Sequence, residues 1–277
     1  MNIGCVVNLT AGIETSFDEA LSVGLHRGQL VVWDMSLYTK ENAERILRFC
    51  EKENFEITAV WCGWSGPLNW KYPEMYSTLG LVPAYLRWKR TEDILKGAEF
   101  ARWFGVKDIV THIGYFPDDP YNRARIEIMQ CVRVIAEKLK ENGQRFLFET
   151  GEELPVTLIG LIEDVGTGNL GVNYDPANLM MGGRANSLDA LRMFEGLIWG
   201  VHAKDGCYPH KGQRKGVQVP LGEGETQFEK VVGILKEFGY DGCVTIEREI
   251  SDADRRRQDI ADAAAKLKIW MGDAYND

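Results

Sequence analysis

Four short apolar runs each stop on a side chain that can bind a metal or move a proton: FLFE at Glu149, GVNYD at Asp175, WGVH at His202 and VTIE at Glu247. If these runs are neighbouring strands of one sheet, three carboxylates and an imidazole converge on a single point. Oxygen ligands plus one nitrogen, with no thiolate, suit Mn2+, Mg2+, Co2+ or Zn2+, with Mn2+ the first choice. Without a cation, three carboxylates so close repel and raise one another's pKa, so one divalent metal ion is the expected partner. The ordinary alternative is that an acid at a strand end caps the next helix or pairs with Lys or Arg. Four successive strands ending this way are harder to reach by accident.

The elements that must position these groups alternate along the chain. β-branched apolar runs predict strands over 3–9, 29–35, 56–64, 108–114, 145–150, 170–175, 199–205 and 242–248. Segments of helical period lie between them. Thr39 is placed to cap a helix over 41–54, and Thr91 to cap one over 92–104 that Gly105 ends. Further helices fit 122–141, 154–165, 187–194, 227–238 and 254–271. Runs such as DIVTHIG are apolar on both parities, as in a strand buried on both faces, which points to a parallel sheet covered by helices.

Eight strands, each followed by a helical segment, in 277 residues predict an α/β fold, a closed (β/α)8 TIM barrel in a single domain spanning 1–277. The competing doubly wound sheet would announce itself by a Gly-rich turn after the first strand, and NLTAGIETS lacks G-x-G-x-x-G. The longest spacings between strands place added chain at 65–90 and 206–226, each after a strand's carboxyl end. That end is the catalytic face of such a barrel. The first segment is rich in aromatics and Pro and reads as an apolar wall; the second is polar and Gly-rich and reads as a charged rim.

Composition narrows the function. With 45% hydrophobic and 26% charged residues the chain can bury a substantial core. A net charge of −9 argues against gripping a phosphate backbone, so no nucleic-acid partner is expected. The six cysteines are scattered without a Cys-x-x-Cys pair and read as reduced thiols. No apolar stretch is long enough to span a membrane, and the start MNIGCVVNLTAGIE lacks the pattern of a signal peptide, so a cytoplasmic location is expected.

The segments ETGEE at 149–153, IEDVGTGNLGVNYDPANL at 162–179, VHAKDG at 201–206, PLGEGE at 220–225 and IERE at 246–249 resemble the xylose-isomerase-like barrel superfamily. The nearest likeness is to its bacterial sugar phosphate isomerase/epimerase branch. The resemblance implies that Glu149, Asp175, His202 and Glu247 hold one divalent ion and, by analogy with ketose 3-epimerases, that Glu149 and Glu247 are the catalytic proton-transfer pair. Many relatives carry a His three residues after the Asp of the sixth strand, used for substrate or a second metal. Here that position is Asn178, which argues against a multinuclear site and leaves Asn178 a substrate-side candidate.

The chemistry follows from the acidity of a sugar's α C–H, which is too weak to ionise unaided at neutral pH. A cation chelated by adjacent carbonyl and hydroxyl oxygens stabilises the enediolate. One carboxylate removes the proton, and a second on the opposite face returns one and inverts the centre. Carriage of the proton to the neighbouring carbon gives isomerisation instead, and expulsion of a β-leaving group gives elimination. The expected function is therefore a metal-dependent isomerase or epimerase of a sugar or keto-sugar, a small-molecule carbohydrate. A lyase or dehydratase acting on a keto-inositol or 3-keto-sugar is the alternative. A non-catalytic sugar-binding barrel ranks lower, and so does an apurinic-site endonuclease, whose zinc site needs many His ligands where this chain has four His in all.

Other residues near strand ends are weighed against bland readings. His112 is placed to hydrogen-bond a sugar hydroxyl. Lys204 and Asp205 follow His202 and are candidates to orient substrate, as Arg248 and Glu249 are to support the last ligand. Trp33, Trp61 and Trp64 are candidates to pack on sugar C–H surface or simply within the barrel. The short basic run Lys211, Arg214 and Lys215 beside His210 is read as solvated. Nothing fixes the oligomeric state, and a homo-oligomer is compatible with the sequence.

Overall fold

The computed structural model describes residues 1–275. The barrel strands are β1 (Asn2–Asn8), β2 (Arg27–Val32), β3 (Glu56–Cys62), β4 (Asp108–Thr111), β5 (Arg145–Glu149), β6 (Leu170–Tyr174) and β7 (Ile198–Ala203). A two-stranded excursion, β8 (Asp205–Cys207) and β9 (Val217–Val219), precedes the last of them, β10 (Cys243–Ile246). The eight close in the order β1-β10-β7-β6-β5-β4-β3-β2, with every neighbouring pair parallel. This is the expected (β/α)8 barrel in a single domain.

The reason lies in the strands. DIVT of β4 and LGVNY of β6 are buried at every position, one face toward the barrel axis and the other beneath helices. Phe146, Leu147 and Phe148 of β5 are likewise buried, and each such side chain contributes about 1.5–3 kcal/mol when taken from water.

The helices are α1 (Asp18–Ser22), α2 (Lys40–Glu53), α3 (Met75–Thr78), α4 (Arg87–Trp103), α5 (Arg123–Glu141), α6 (Pro155–Val165), α7 (Pro176–Met181), α8 (Ser187–Met193), α9 (Phe228–Glu237) and α10 (Ala253–Met271). In α5, Ile128, Val132, Ile135 and Leu139 recur at three- and four-residue spacing and turn inward, and the Asn122 side chain accepts from the Ala124 N–H at its start. Thr39 caps α2 as expected, accepting from Asn42 N–H at 3.2 Å. Thr91 does not cap α4. That helix begins a turn earlier, at Arg87, and the Thr91 hydroxyl donates to the Arg87 carbonyl at 2.9 Å. Its first turns bury Arg87, Arg90 and Asp93 in place of apolar residues, so hydrophobic period did not mark its start.

Several strands end before the apolar run does. The second stops at Val32, because Asp34 turns the chain by accepting from Ser36 N–H at 2.9 Å. Among the described residues no helix is long and apolar enough to cross a membrane. At the carboxyl ends of the strands, the segment between β3 and α4 and the antiparallel β8–β9 pair overhang the mouth.

Candidate metal centre

Glu149 is the last residue of β5, Asp175 follows β6, His202 lies within β7 and Glu247 follows β10. Consecutive parallel strands thus deliver all four to the barrel mouth, where one ligand atom from each lies within 4.8 Å of the others. His202 Nδ1 sits 3.0 Å from Glu247 Oε2, 3.3 Å from Glu149 Oε1 and 3.5 Å from Asp175 Oδ2. Asp175 and His202 are buried, and so is Glu149.

Each ligand is held by its other polar atoms. Asp175 Oδ1 accepts from Asn178 N–H at 2.8 Å, so the helix-capping alternative is true of this residue too. Its second oxygen, Oδ2, is buried with no hydrogen-bond partner. His202 Nε2 lies 2.9 Å from Gln29 Oε1, while Nδ1 is close to three carboxylates yet in hydrogen-bond geometry with none. Glu149 Oε2 accepts from the Trp61 indole, and Oε1 accepts from Asn178 Nδ2 at 3.0 Å. A buried carboxylate oxygen and a buried imidazole nitrogen, both orphaned and facing one centre with two further carboxylates, fit a divalent cation of the Mn2+, Mg2+, Co2+ or Zn2+ kind.

The electrostatics carry the same message. Burial pushes the Asp175 carboxyl up to about 6, against the pull of Lys204 and His202. Burial also works against a charged Glu247, but Lys204 and His202 outweigh it and hold that carboxyl well below the usual range. For Glu149 burial is outweighed by His112 and His202, and the carboxyl is lowered. Burial disfavours the imidazolium of His202, yet Glu149 and Glu247 drive its pKa well above the ordinary value. Three acids around one imidazole thus favour positive charge among them, which the His202 imidazolium and Lys204 supply and which a bound cation would supply in place of the imidazolium's proton.

A cavity of about 630 Å3 opens over this cluster. Glu149, His202 and Glu247 line it, as do His112, Asn178, Lys204 and Trp33 of the substrate-side candidates. Lys204 is buried and its ammonium reaches Glu247 Oε2 at 3.1 Å and Glu249 Oε2 at 2.7 Å. His112 Nδ1 lies 3.0 Å from Glu152 Oε2 and its Nε2 3.4 Å from Glu149 Oε1. Burial disfavours its charged form, but Glu149 and Glu152 push its pKa up to about 10. Arg248 pairs with Asp259 of α10 at 2.8 Å and also lines the cavity.

Two candidates are turned elsewhere. Asp205 is buried, and its carboxylate accepts from the backbone N–H groups of Gly206, Gly222, Gly224 and Thr226 and from the Thr226 hydroxyl. The Gly-rich loop after it supplies so many free N–H groups that the acid is spent on its own segment. Trp64 is buried and donates to Thr111 Oγ1 at 3.0 Å, away from the cavity lining.

The sequence reading also passed over residues that line the site. Lys215, read as solvated, lines the cavity with its ammonium 5.6 Å from the centre of the Trp70 ring. Trp70, in the aromatic segment, completes a wall with Trp33 and Trp61. Gln29 and Asn173 lie beneath the cavity, outside its lining, and the one sequence signal for them is that each is a lone amide in a buried apolar strand.

Residues 17–270 match the family described as xylose isomerase-like TIM barrel. An uncharacterized protein of Methanocaldococcus jannaschii is 30% identical over 163 residues, which is 54% of this chain and 54% of that protein. The chain thus matches about half the length of that curated relative. The solved structure of a xylose isomerase domain protein from Planctomyces limnophilus is similar at a TM-score of 0.93 and 29% identity, covering 98% of both chains. The same fold recurs in a D-tagatose 3-epimerase-like protein (TM-score 0.73, 20% identity, 98% of both chains). It recurs again in a Mycobacterium smegmatis barrel solved with magnesium (TM-score 0.70, 16% identity, 95% of this chain and 96% of that one).

Proposed function

The chain belongs to the xylose isomerase-like TIM barrel family, and from that premise we propose that it is a divalent-metal-dependent isomerase or epimerase of a sugar or keto-sugar. The observation that carries this reading is the meeting of Glu149 and Glu247 at one imidazole nitrogen, 3.3 Å and 3.0 Å away, from strands three places apart around the barrel. Two carboxylates brought from different sectors of the mouth can address a carbon between them from different sides. That is the requirement for removing a proton on one face and returning it on the other. An epimerase-like neighbour of the same fold and a magnesium-bound one agree with it.

Glu149, Asp175, His202 and Glu247 would hold the cation, which supplies Lewis-acid charge next to the acidified C–H. Glu149 and Glu247 take and return the proton. Trp61 and Asn178 hold the Glu149 carboxylate in one orientation, and Lys204 holds that of Glu247. Lys204 and His112 face the cavity as donors for substrate oxygens, and the indoles of Trp33, Trp61 and Trp70 offer apolar faces for sugar C–H surface.

The test is a ketose and keto-cyclitol panel in deuterated water with Mn2+, run with and without chelator after elemental analysis of the purified protein. The expected result is metal-dependent deuterium incorporation beside the carbonyl without loss of water. Glu149→Gln and Glu247→Gln should each lower the rate by about 10²–10⁴-fold. An unsaturated product would replace this reading with the lyase one. Retention of no metal, with no exchange in any sugar, would leave a binding barrel.

A further inference from the structure

We propose that Gln29, itself fixed by Asn173, is the positioning residue that sets the tautomer of His202 and keeps its Nδ1 lone pair aimed into the centre. This rests on the reading of Glu149, Asp175, His202 and Glu247 as a metal centre. Gln29 is buried on β2, three places around the barrel from β7, and reaches across the interior to place Oε1 2.9 Å from His202 Nε2. Its own amide nitrogen donates to Asn173 Oδ1 of β6 at 2.7 Å.

That second bond decides which end of the amide His202 meets. With the amide nitrogen held by Asn173, the carbonyl is left for Nε2, and a carbonyl only accepts, so Nε2 must carry the proton. In the neutral ring that binds a cation, the single remaining nitrogen, Nδ1, is then free to ligate, and it is the nitrogen surrounded by the three carboxylates. The reversed amide would donate to Nε2, place the proton on Nδ1 and remove the lone pair a cation needs. Gly200 leaves the room that the Asn173 amide occupies. A Cβ there would lie 2.3 Å from Asn173 Oδ1, closer than any atom tolerates. Gln29, Asn173 and Gly200, none of them a metal-ligand candidate, thus form one chain that ends on His202.

The experiment uses the full chain stripped with chelator and titrated with MnCl2 by calorimetry, alongside circular dichroism and melting as checks on folding. Gln29→Met keeps length and removes the acceptor, and Mn2+ affinity should fall by about 10–100-fold. Gln29→Glu restores an acceptor and should bind within a few-fold of wild type. Gly200→Ala, which leaves both amides present but displaces Asn173, should weaken Mn2+ in the same direction by a smaller factor and serves if Gln29→Met does not fold. A folded Gln29→Met that binds within twofold of wild type overturns the inference alone. A folded Gln29→Glu as weak as Gln29→Met also overturns it, because packing and not the acceptor would then matter. A wild-type protein that binds no Mn2+, Mg2+, Co2+ or Zn2+ overturns the metal centre and this inference with it.

Discussion

The segment between β3 and α4 and the one between β8 and α9 both overhang the barrel mouth, yet they are built around buried charges of opposite sign. In the first, the guanidinium of Arg90 is fully buried and donates to the carbonyls of Ser65, Pro67, Thr78 and Gly80, with the Trp64 ring centre 4.8 Å away. In the second, the Asp205 carboxylate gathers four backbone N–H groups and a hydroxyl. A loop turned carbonyls-inward needs a planar multi-donor cation, and one turned amides-inward needs a multi-acceptor anion. Both charges lie in segments at the barrel mouth and neither is spent on a ligand. A buried charge beside a candidate site is therefore as readily a scaffold as a participant.

Three changes would break or sharpen this contrast. The largest effect is expected from Arg90→Leu, which leaves the buried Gly80 carbonyl and three part-buried ones without their donor and should cost about 3–4 kcal/mol in urea unfolding, with faster proteolysis confined to 65–86. Arg90→Lys should rescue little, since a single ammonium cannot span the same fork. Asp205→Asn comes next, at about 2–3 kcal/mol, because an amide group would oppose N–H donors that now meet an anion. Amide exchange should quicken over 206–226 and leave 65–86 unchanged. Equal loosening of both segments in either variant would show that they are one unit and not two.

The smallest effect is a pH response of the first segment alone. Asp93 holds Ser65 through its N–H at 2.9 Å and its hydroxyl at 2.5 Å, and it pairs with Lys89. Burial opposes its charge, but Lys89 and Ser65 prevail and its pKa is lowered. A lowered folded pKa stabilises above the unfolded carboxyl's value of about 3.9 and is lost as pH falls through the lower folded one. The protection of the Ser65 amide against exchange, relative to an unstructured chain at the same pH, should therefore fall below about pH 4 in wild type. In Asp93→Asn that protection should be low at every pH.

Much of this was legible beforehand. The closed barrel follows from eight apolar runs and the helical segments between them, and the four ligand candidates follow from where those runs stop. The start of α4 was not legible, because Arg87, Arg90 and Asp93 occupy positions where an apolar stripe would have announced the helix. Asp205 and Trp64 sit in the same kind of strand-end context as Lys204 and Trp61. Sequence offers no means of telling which side chain turns to the cavity and which to its own loop.

The sequence by itself determined the eight barrel strands, though not their exact ends or the β8–β9 pair, and the delivery of Glu149, Asp175, His202 and Glu247 to one rim, because burial on both faces and the end of an apolar run are local properties of the chain. Only the tertiary structure decided that Gln29 meets His202, 173 positions away, that Asn178 is bound to Glu149, and that Asp205 faces its own glycines. Hydrogen bonds of that kind depend on which strands the closed barrel sets across from one another, and no local pattern of residues encodes that.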